Sequence, residues 1–209
     1  MAYSFEEMND VVNYPNGKKT FFETKSKIKH TKENVVYKNR GMDFESDINL
    51  SLEFFDEQGL AIITKRPTPI NVVHVDYTKG ARITDAYFEK QSTTDYNGVY
   101  RGKYIDFEAK NTLSKTSLPL HNITTHQISH LKKVLKHGGI AFFVISLESL
   151  NKVYLLDAQY VIDFFENKTR CSIPLSDIIE KGIEIKQGYM PRLEILKAID
   201  EAYFHEKND

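Results

Sequence analysis

The sequence is poor in the features that mark several large classes of protein. Its 209 residues include one cysteine, Cys171, so neither a disulfide framework nor a zinc site built on cysteines can form. No apolar run reaches the ~18 residues that a membrane-spanning helix needs, and the first residues, MAYSFEEMND, lack the basic and then apolar pattern of a signal peptide. We therefore expect a cytoplasmic protein without a membrane segment.

Net charge is also small, and its distribution along the chain is uneven. The formal charge of −1 argues against a uniformly basic nucleic-acid binder. Residues 17–40, however, contain eight lysines or arginines and two glutamates, so this segment carries +6 and the rest of the chain −7. A solvated tail without a ligand is one interpretation, and an arm that becomes ordered on an anionic partner is the other. We predict that residues 1–36 form a flexible basic arm and that residues 37–209 fold as one domain.

Hydrophobic periodicity predicts a mixed order of helices and strands. A group of strands that carries acidic residues lies between a first helix and a crossover helix, and this order predicts an α/β fold with a mixed sheet flanked by helices. A hairpin is expected near Asn97-Gly98 or Arg101-Gly102, and it would bring Asp95 towards a strand that ends at Lys110. The predicted helices span 42–58, 124–136, 159–166, 177–181 and 192–204. The predicted strands span 72–77, 82–88 and 104–110, together with three buried strands at 60–65, 140–147 and 153–156.

One predicted strand, YIDFEAK at 104–110, sets charged side chains on a single face. Asp106, Glu108 and Lys110 alternate with apolar residues, as on the wet face of an edge strand. The same residues also fit a nuclease pattern in which an acidic residue on the preceding strand, here Asp95, accompanies an E-x-K. Carboxylates of this kind hold a divalent cation against a phosphodiester, and the lysine orients the attacking water or offsets charge in the transition state.

Longer segments carry a more specific resemblance. The runs NRGMDFESDI, KRPTPINVVHVDY, STTDYNGVY, YIDFEAK and YMPRLEILKAID closely resemble the RecU family of Holliday-junction resolvases, and the similarity extends from Arg40 to the C-terminal helix. The resemblance implies a restriction-endonuclease-like fold. It also implies a homodimeric, Mg²⁺-dependent endonuclease, in which Mn²⁺ could substitute, that nicks two opposing strands of a four-way DNA junction in recombination and repair. The implied site residues are Lys110 as transition-state stabiliser and, as metal ligands, Thr93, Asp95, Glu108 and Gln127.

The residues themselves leave two of these ligand roles open. Gln127 shares a helical stripe with Leu131 and Val134, so its amide should face the sheet, although an amide bonded to the backbone is the alternative. Thr93 would contribute through its main-chain carbonyl or through a water molecule. Its neighbour Thr94 could serve in its place.

Other polar residues near the pattern have more than one interpretation. Asp106 could bind a second metal ion or, as we expect, form an ion pair with a lysine or arginine. Glu45 on the first helix could contact the metal directly or through water. His126 and His130 are spaced as zinc ligands can be, but no third nitrogen or sulfur ligand accompanies them, so we do not expect zinc.

The excursion at about 65–91 is larger than a compact nuclease needs. It resembles the protruding β stalk of the family, which projects into the centre of a four-way junction, although an ordinary hairpin that extends the sheet is the alternative. The expected partners are junction DNA, a second copy of the chain, and a recombinase or branch-migration helicase. A DNA-annealing or architectural protein and a sequence-specific nuclease on the same fold are the alternative functions. Four basic residues of the excursion are expected to meet phosphates: Lys65, Arg66, Lys79 and Arg82.

Overall fold

The computed structural model describes residues 40–89, 93–167 and 170–204, and the predicted basic arm at 1–36 lies outside them. Within these ranges, no helix is long and apolar enough to cross a membrane. The elements are, in chain order, α1 (Arg40–Glu57), β1 (Ile62–Lys65), β2 (Ile70–Asp76), β3 (Arg82–Phe88), β4 (Tyr96–Tyr100), β5 (Lys103–Thr112), β6 (Ser117–Pro119), α2 (Thr125–Lys136), β7 (Ile140–Leu147), β8 (Lys152–Asp157), α3 (Ala158–Asn167), β9 (Ser172–Pro174), α4 (Leu175–Lys181), β10 (Ile183–Ile185) and α5 (Ile195–Tyr203).

Six strands form a mixed sheet in the order β1-β4-β5-β7-β8-β10. β5 and β7 run parallel, with α2 in the crossover between them, whereas the other neighbouring pairs are antiparallel. α1 and α5 cover one face of the sheet, and α2, α3 and α4 cover the other, each over a core of buried apolar side chains. The predicted architecture is confirmed: an α/β fold with a mixed sheet flanked by helices.

The strand with the charged face, β5, lies inside the sheet rather than at its edge. Asp106 is fully buried and Glu108 is 2% exposed, so the interpretation of this face as a wet edge is wrong. On the opposite face, the ring of Phe107 stacks between those of Tyr96 and Phe142, with centroid distances of 4.8 and 4.9 Å. These rings come from three adjacent strands, and their packing holds β5 in place from the face opposite to its charged side chains.

The hairpin that joins β4 to β5 turns at Arg101 and Gly102, one of the two positions expected from the sequence. Both residues have positive φ, 48° and 74°, as a two-residue turn between antiparallel strands requires. The other expected position lies within β4, where Gly98 pairs with Ile63 of β1. A Cβ on Gly98 would lie 2.0 Å from the Ile62 carbonyl oxygen, so glycine is needed there for β1 to approach β4.

The short strands β6, β9 and β10 were not predicted, and two predicted elements differ from the structure by more than a shift of one or two residues at an end. Residues 60–65 were expected to form a buried strand, but β1 is an edge strand in which Ile63 alone is buried. The last helix was expected from residue 192 but begins at Ile195. Before it, Leu193 and Glu194 bond to other segments: Leu193 N–H donates to Ser51 Oγ, and Glu194 N–H donates to the Lys186 carbonyl.

The excursion forms the predicted hairpin, because β2 and β3 pair with each other in a two-stranded sheet separate from the main one. All residues of β3 are exposed, as are several of β2. The excursion leaves β1 at Arg66, and the main-chain N–H of Arg66 donates to the Asp95 carbonyl at 2.7 Å. We call residues 65–89 the stalk from here on.

Candidate active site

Asp95, next to the start of β4, and Glu108, in β5, lie at the same level of the sheet. Asp95 directly precedes β4, and Tyr96 pairs with Phe107 of β5. Asp95 Oδ2 accepts a hydrogen bond of 3.0 Å from the main-chain N–H of Ala109, the residue between Glu108 and Lys110. The acid of the preceding strand is therefore tied to the backbone of the E-x-K segment, as the sequence pattern predicts.

Glu108 is the centre of the polar contacts at this position. Its Oε1 accepts hydrogen bonds from Lys110 Nζ at 2.7 Å and from Gln127 Nε2 at 2.5 Å. Its other oxygen, Oε2, is buried and has no hydrogen-bond partner among the described residues. A buried carboxylate oxygen without a donor is costly, so this atom is a strong candidate for binding a cation.

The electrostatics of Glu108 also favour a cation. Burial raises the pKa of Glu108 to about 7, and the neighbouring Asp95 carboxylate raises it in the same direction, whereas Lys110 acts to lower it. Two carboxylates at close range in a low-dielectric site cannot both ionise without compensation. One ammonium is present for the two, so one negative charge is left uncompensated, and a bound cation would favour ionisation of both carboxylates.

Gln127 reaches this site from the first turn of α2. Thr124 caps the helix: its hydroxyl accepts from the Gln127 N–H, and the Gln127 amide oxygen accepts from the Thr124 N–H at 2.9 Å. This capping box leaves the amide nitrogen directed at Glu108, so the side chain faces the sheet as predicted, while its oxygen makes the backbone bond that was the alternative. The amide oxygen retains a second lone pair, through which it could bind a metal.

The two threonines before Asp95 differ in their surroundings. Thr94 Oγ1 donates to Asp106 Oδ1 at 2.5 Å and is buried, so its hydroxyl serves that carboxylate. Thr93 Oγ1 is buried and has no hydrogen-bond partner among the described residues. Of the two, Thr93 therefore has the side-chain oxygen that is free to take part in a site.

Asp106, two residues before Glu108, is surrounded by donors. Besides Thr94, it accepts from Arg66 Nη2 at 2.8 Å and Tyr104 OH at 2.9 Å, and His130 Nε2 lies 2.9 Å from the same oxygen. The ion-pair interpretation of Asp106 agrees with these contacts. Sequence patterns did not identify which residues these partners would be, and they include one of the two histidines considered as zinc ligands.

The same contacts change the roles of two basic residues. Arg66 was expected to meet phosphates but pairs with Asp106, and Lys65 pairs with Glu45. Their charges are therefore engaged within the protein. Lys79 and Arg82, near the tip of the stalk, are exposed and remain available to phosphates.

The residues fit a hard divalent cation bound by oxygen atoms. Within the described part of the chain, no group of three or more histidine, cysteine, aspartate or glutamate side chains is arranged as a metal site. Asp95 and Glu108 supply two carboxylates, and the free Oε2 of Glu108 has no protein donor to satisfy it. Oxygen atoms of an amide or a threonine would complete a set that suits Mg²⁺.

Comparison with known proteins shows where the chain belongs. The family model for recombination protein U, RecU, matches residues 39–201. The chain belongs to the RecU family. The match covers the stalk and every predicted site residue, and it confirms the family resemblance found in the sequence.

Named relatives agree with this assignment. A protein of Geobacillus sp. strain WCH70 named Holliday junction resolvase RecU is 48% identical over 200 residues, which cover 93% of this chain and 98% of that protein. A RecU of the same name from Geobacillus kaustophilus is 49% identical over 80% of this chain and 86% of its own. Among solved structures, Hjc of Archaeoglobus fulgidus, described as a Holliday junction resolvase, is 13% identical, with a TM-score of 0.41 over 69% of this chain and 95% of that one.

Proposed function

We propose that this RecU-family chain is a divalent-metal-dependent endonuclease that resolves four-way DNA junctions by paired symmetric nicks. The observation that supports this most directly is Glu108, a buried carboxylate with one free oxygen between Asp95 and Lys110. The name of its relatives, Holliday junction resolvase, supports junction DNA as the substrate.

Asp95 and Glu108 would hold the metal, with oxygen atoms of Gln127 and Thr93 completing its surroundings. We propose Mg²⁺, because these are hard oxygen ligands. When bound, such a cation neutralises the charge of the scissile phosphate and acidifies a water molecule. The hydrogen bond from Ala109 N–H holds the Asp95 carboxylate in place for this role.

We propose that Lys110 acts on the reacting groups. Its ammonium lies 2.7 Å from Glu108 Oε1, and its side chain is 16% exposed, so it reaches from the buried carboxylate to solvent. From there it can donate to the attacking water or to a phosphate oxygen that gains charge in the transition state. A lysine in this position contributes without binding the metal itself.

Paired nicks on opposing strands require two sites related by a two-fold axis. A homodimer is the simplest assembly that supplies them, because each protomer carries one complete set of the proposed residues. We propose this dimer as the active form, acting on DNA in the cytoplasm.

Cleavage of a four-way junction, compared with linear duplexes of the same sequences, tests the proposal in the presence of Mg²⁺. The wild-type protein should nick the junction at symmetric positions and leave the duplexes largely uncut. Asp95→Ala should abolish nicking while junction binding, measured without metal, stays nearly intact. Binding without cleavage by the wild type would instead indicate an annealing or architectural protein. Equal cleavage of duplex and junction would indicate a different nuclease.

A further inference from the structure

The most densely bonded carboxylate of the described residues lies beside the candidate metal site and is not among its ligands. Asp106 is fully buried, yet four side chains donate to it: Thr94 to Oδ1, and Arg66, Tyr104 and His130 to Oδ2. Three of these donors converge on Oδ2 and one bonds Oδ1, so both oxygens of Asp106 are engaged within the protein. These contacts account for the burial of the carboxylate without a second metal ion.

The donors to Asp106 come from each segment that carries a candidate ligand or leads to the stalk. Thr94 lies between Thr93 and Asp95 in the loop before β4. His130 is one turn after Gln127 on α2. Asp106 is on β5 itself, on the same face as Glu108. One carboxylate thus bonds to the loop, the helix and the strand that together form the site.

Arg66 extends this connection to the stalk. Its main-chain N–H donates to the Asp95 carbonyl at 2.7 Å, and its guanidinium donates to Asp106 at 2.8 Å and to Tyr104 OH at 3.3 Å. The first residues of the stalk are therefore bonded to the main chain of Asp95, a proposed metal ligand, and to β5, the strand that carries Glu108. The Arg66 side chain is 24% exposed, so this pair is shielded from solvent on most sides.

We propose that Asp106 is a positioning residue, which with Arg66 fixes the base of the stalk and the ligand-bearing segments in one arrangement. This inference rests on the proposed function and adds a requirement to it. When the stalk engages a junction, the scissile phosphate can meet Glu108 and Lys110 only if stalk and site keep a fixed relation. Asp106 acts through the residues it bonds and does not contact the substrate or the metal.

Asp106→Asn and Arg66→Gln test this role, because each weakens the same ion pair from a different side. Both should lower kcat at saturating junction by about 100-fold, the cost of misplacing reacting groups by about 1 Å. Junction Kd, measured by anisotropy of a labelled junction in EDTA, should change less than about threefold, since neither change removes a phosphate contact. Arg66 is partly exposed, so its variant keeps the test decisive even if Asp106→Asn does not fold.

The matched control is Asp200→Asn. Asp200 also accepts from an arginine and a tyrosine, Arg101 at 3.0 Å and Tyr100 at 2.9 Å, but it belongs to α5, on the face of the sheet opposite to Glu108. This variant should cleave at the wild-type rate. If wild type and control cleave no junction, the proposed function fails. If they cleave and both test variants match them, only the positioning role fails.

Two measurements separate positioning from other roles. The chain contains no tryptophan, so Tyr77→Trp, at an exposed position beyond β2, gives a single emission signal from the stalk. Its anisotropy should fall in Arg66→Gln and Asp106→Asn and stay unchanged in Asp200→Asn.

Mn²⁺ stoichiometry, measured by electron paramagnetic resonance, should be the same in Asp106→Asn and wild type. If Asp106→Asn bound less Mn²⁺ than wild type, Asp106 would be a metal ligand. If Asp106→Asn lowered Tm but left the anisotropy of the stalk tryptophan unchanged, Asp106 would only stabilise the fold. Either result overturns the proposal.

Discussion

The free energy of unfolding of the metal-free protein should depend on pH through Glu108, and Glu108→Gln should remove that dependence. Glu108 is 2% exposed, and burial, with the Asp95 charge, raises its pKa from 4.5 to about 7. The folded state therefore binds this proton more tightly than the unfolded state does. Between pH 4.5 and about 7 the contribution of Glu108 to stability is lost as pH rises, because folding then requires uptake of a proton.

The pKa change corresponds to about 3 kcal/mol, a large part of the stability of an ordinary domain. The free energy of unfolding can be measured by urea denaturation in EDTA at about pH 4 and about pH 8. The difference between Glu108→Gln and wild type should shift by about 3 kcal/mol in favour of the variant between the lower and the higher pH. At the higher pH, Mg²⁺ should stabilise the wild type and close the gap, because a ligand that binds only the folded state raises its stability.

A matched control is Glu166→Gln, which alters an exposed pair with Lys132 and should contribute no more than ~1 kcal/mol at either pH. If the difference between Glu108→Gln and wild type does not change with pH, or grows as pH falls, the proposed environment of Glu108 is wrong. If the pH dependence appears but Mg²⁺ does not reduce it, Glu108 is buried as described but is not a metal ligand.

Three further predictions concern the lysine, the edge strand and the DNA-binding segments. Lys110→Ala should slow junction nicking by about 100-fold while changing Mg²⁺ binding less than Glu108→Ala does, and cleavage at the normal rate would refute the role of the ammonium. Gly98→Ala should lower the free energy of unfolding in urea by more than about 2 kcal/mol, because its Cβ would lie 2.0 Å from the Ile62 carbonyl oxygen; a smaller loss would show that β1 can move away. Deleting residues 1–36 should weaken junction and duplex binding alike and flatten their salt dependence by ~0.9 per lost phosphate contact, whereas shortening the stalk should reduce junction preference. If the arm deletion alone erased that preference, recognition would belong to the arm.

Sequence patterns predicted the site best where local rules apply. Alternation placed Asp106, Glu108 and Lys110 on one face of β5, and the threonine cap with helical spacing turned Gln127 towards the sheet. Turn preference reduced the β4–β5 connection to two positions, one of which is correct. The proximity of Asp95 to the E-x-K followed from that hairpin.

Sequence patterns could not predict the contacts that depend on distant segments. Arg66 precedes a proline at the start of an exposed hairpin, so nothing local indicates that its guanidinium turns inward to Asp106, 40 residues away. β1 has four residues, too few for periodicity to distinguish an edge strand from a central one. The late start of α5 likewise follows from tertiary hydrogen bonds of Leu193 and Glu194, which override the helical pattern.

The two-residue turn at Arg101 and Gly102 bears on the order in which the protein folds. A β4–β5 hairpin depends on local contacts and can form within about 1–10 μs, whereas the parallel β5–β7 pair must wait for the crossover through α2. Asp95 and Glu108 would thus meet while water still surrounds them. Their desolvation comes when α2 docks and places Gln127 against Glu108. Substitutions at Glu108 should therefore change the unfolding rate more than the folding rate.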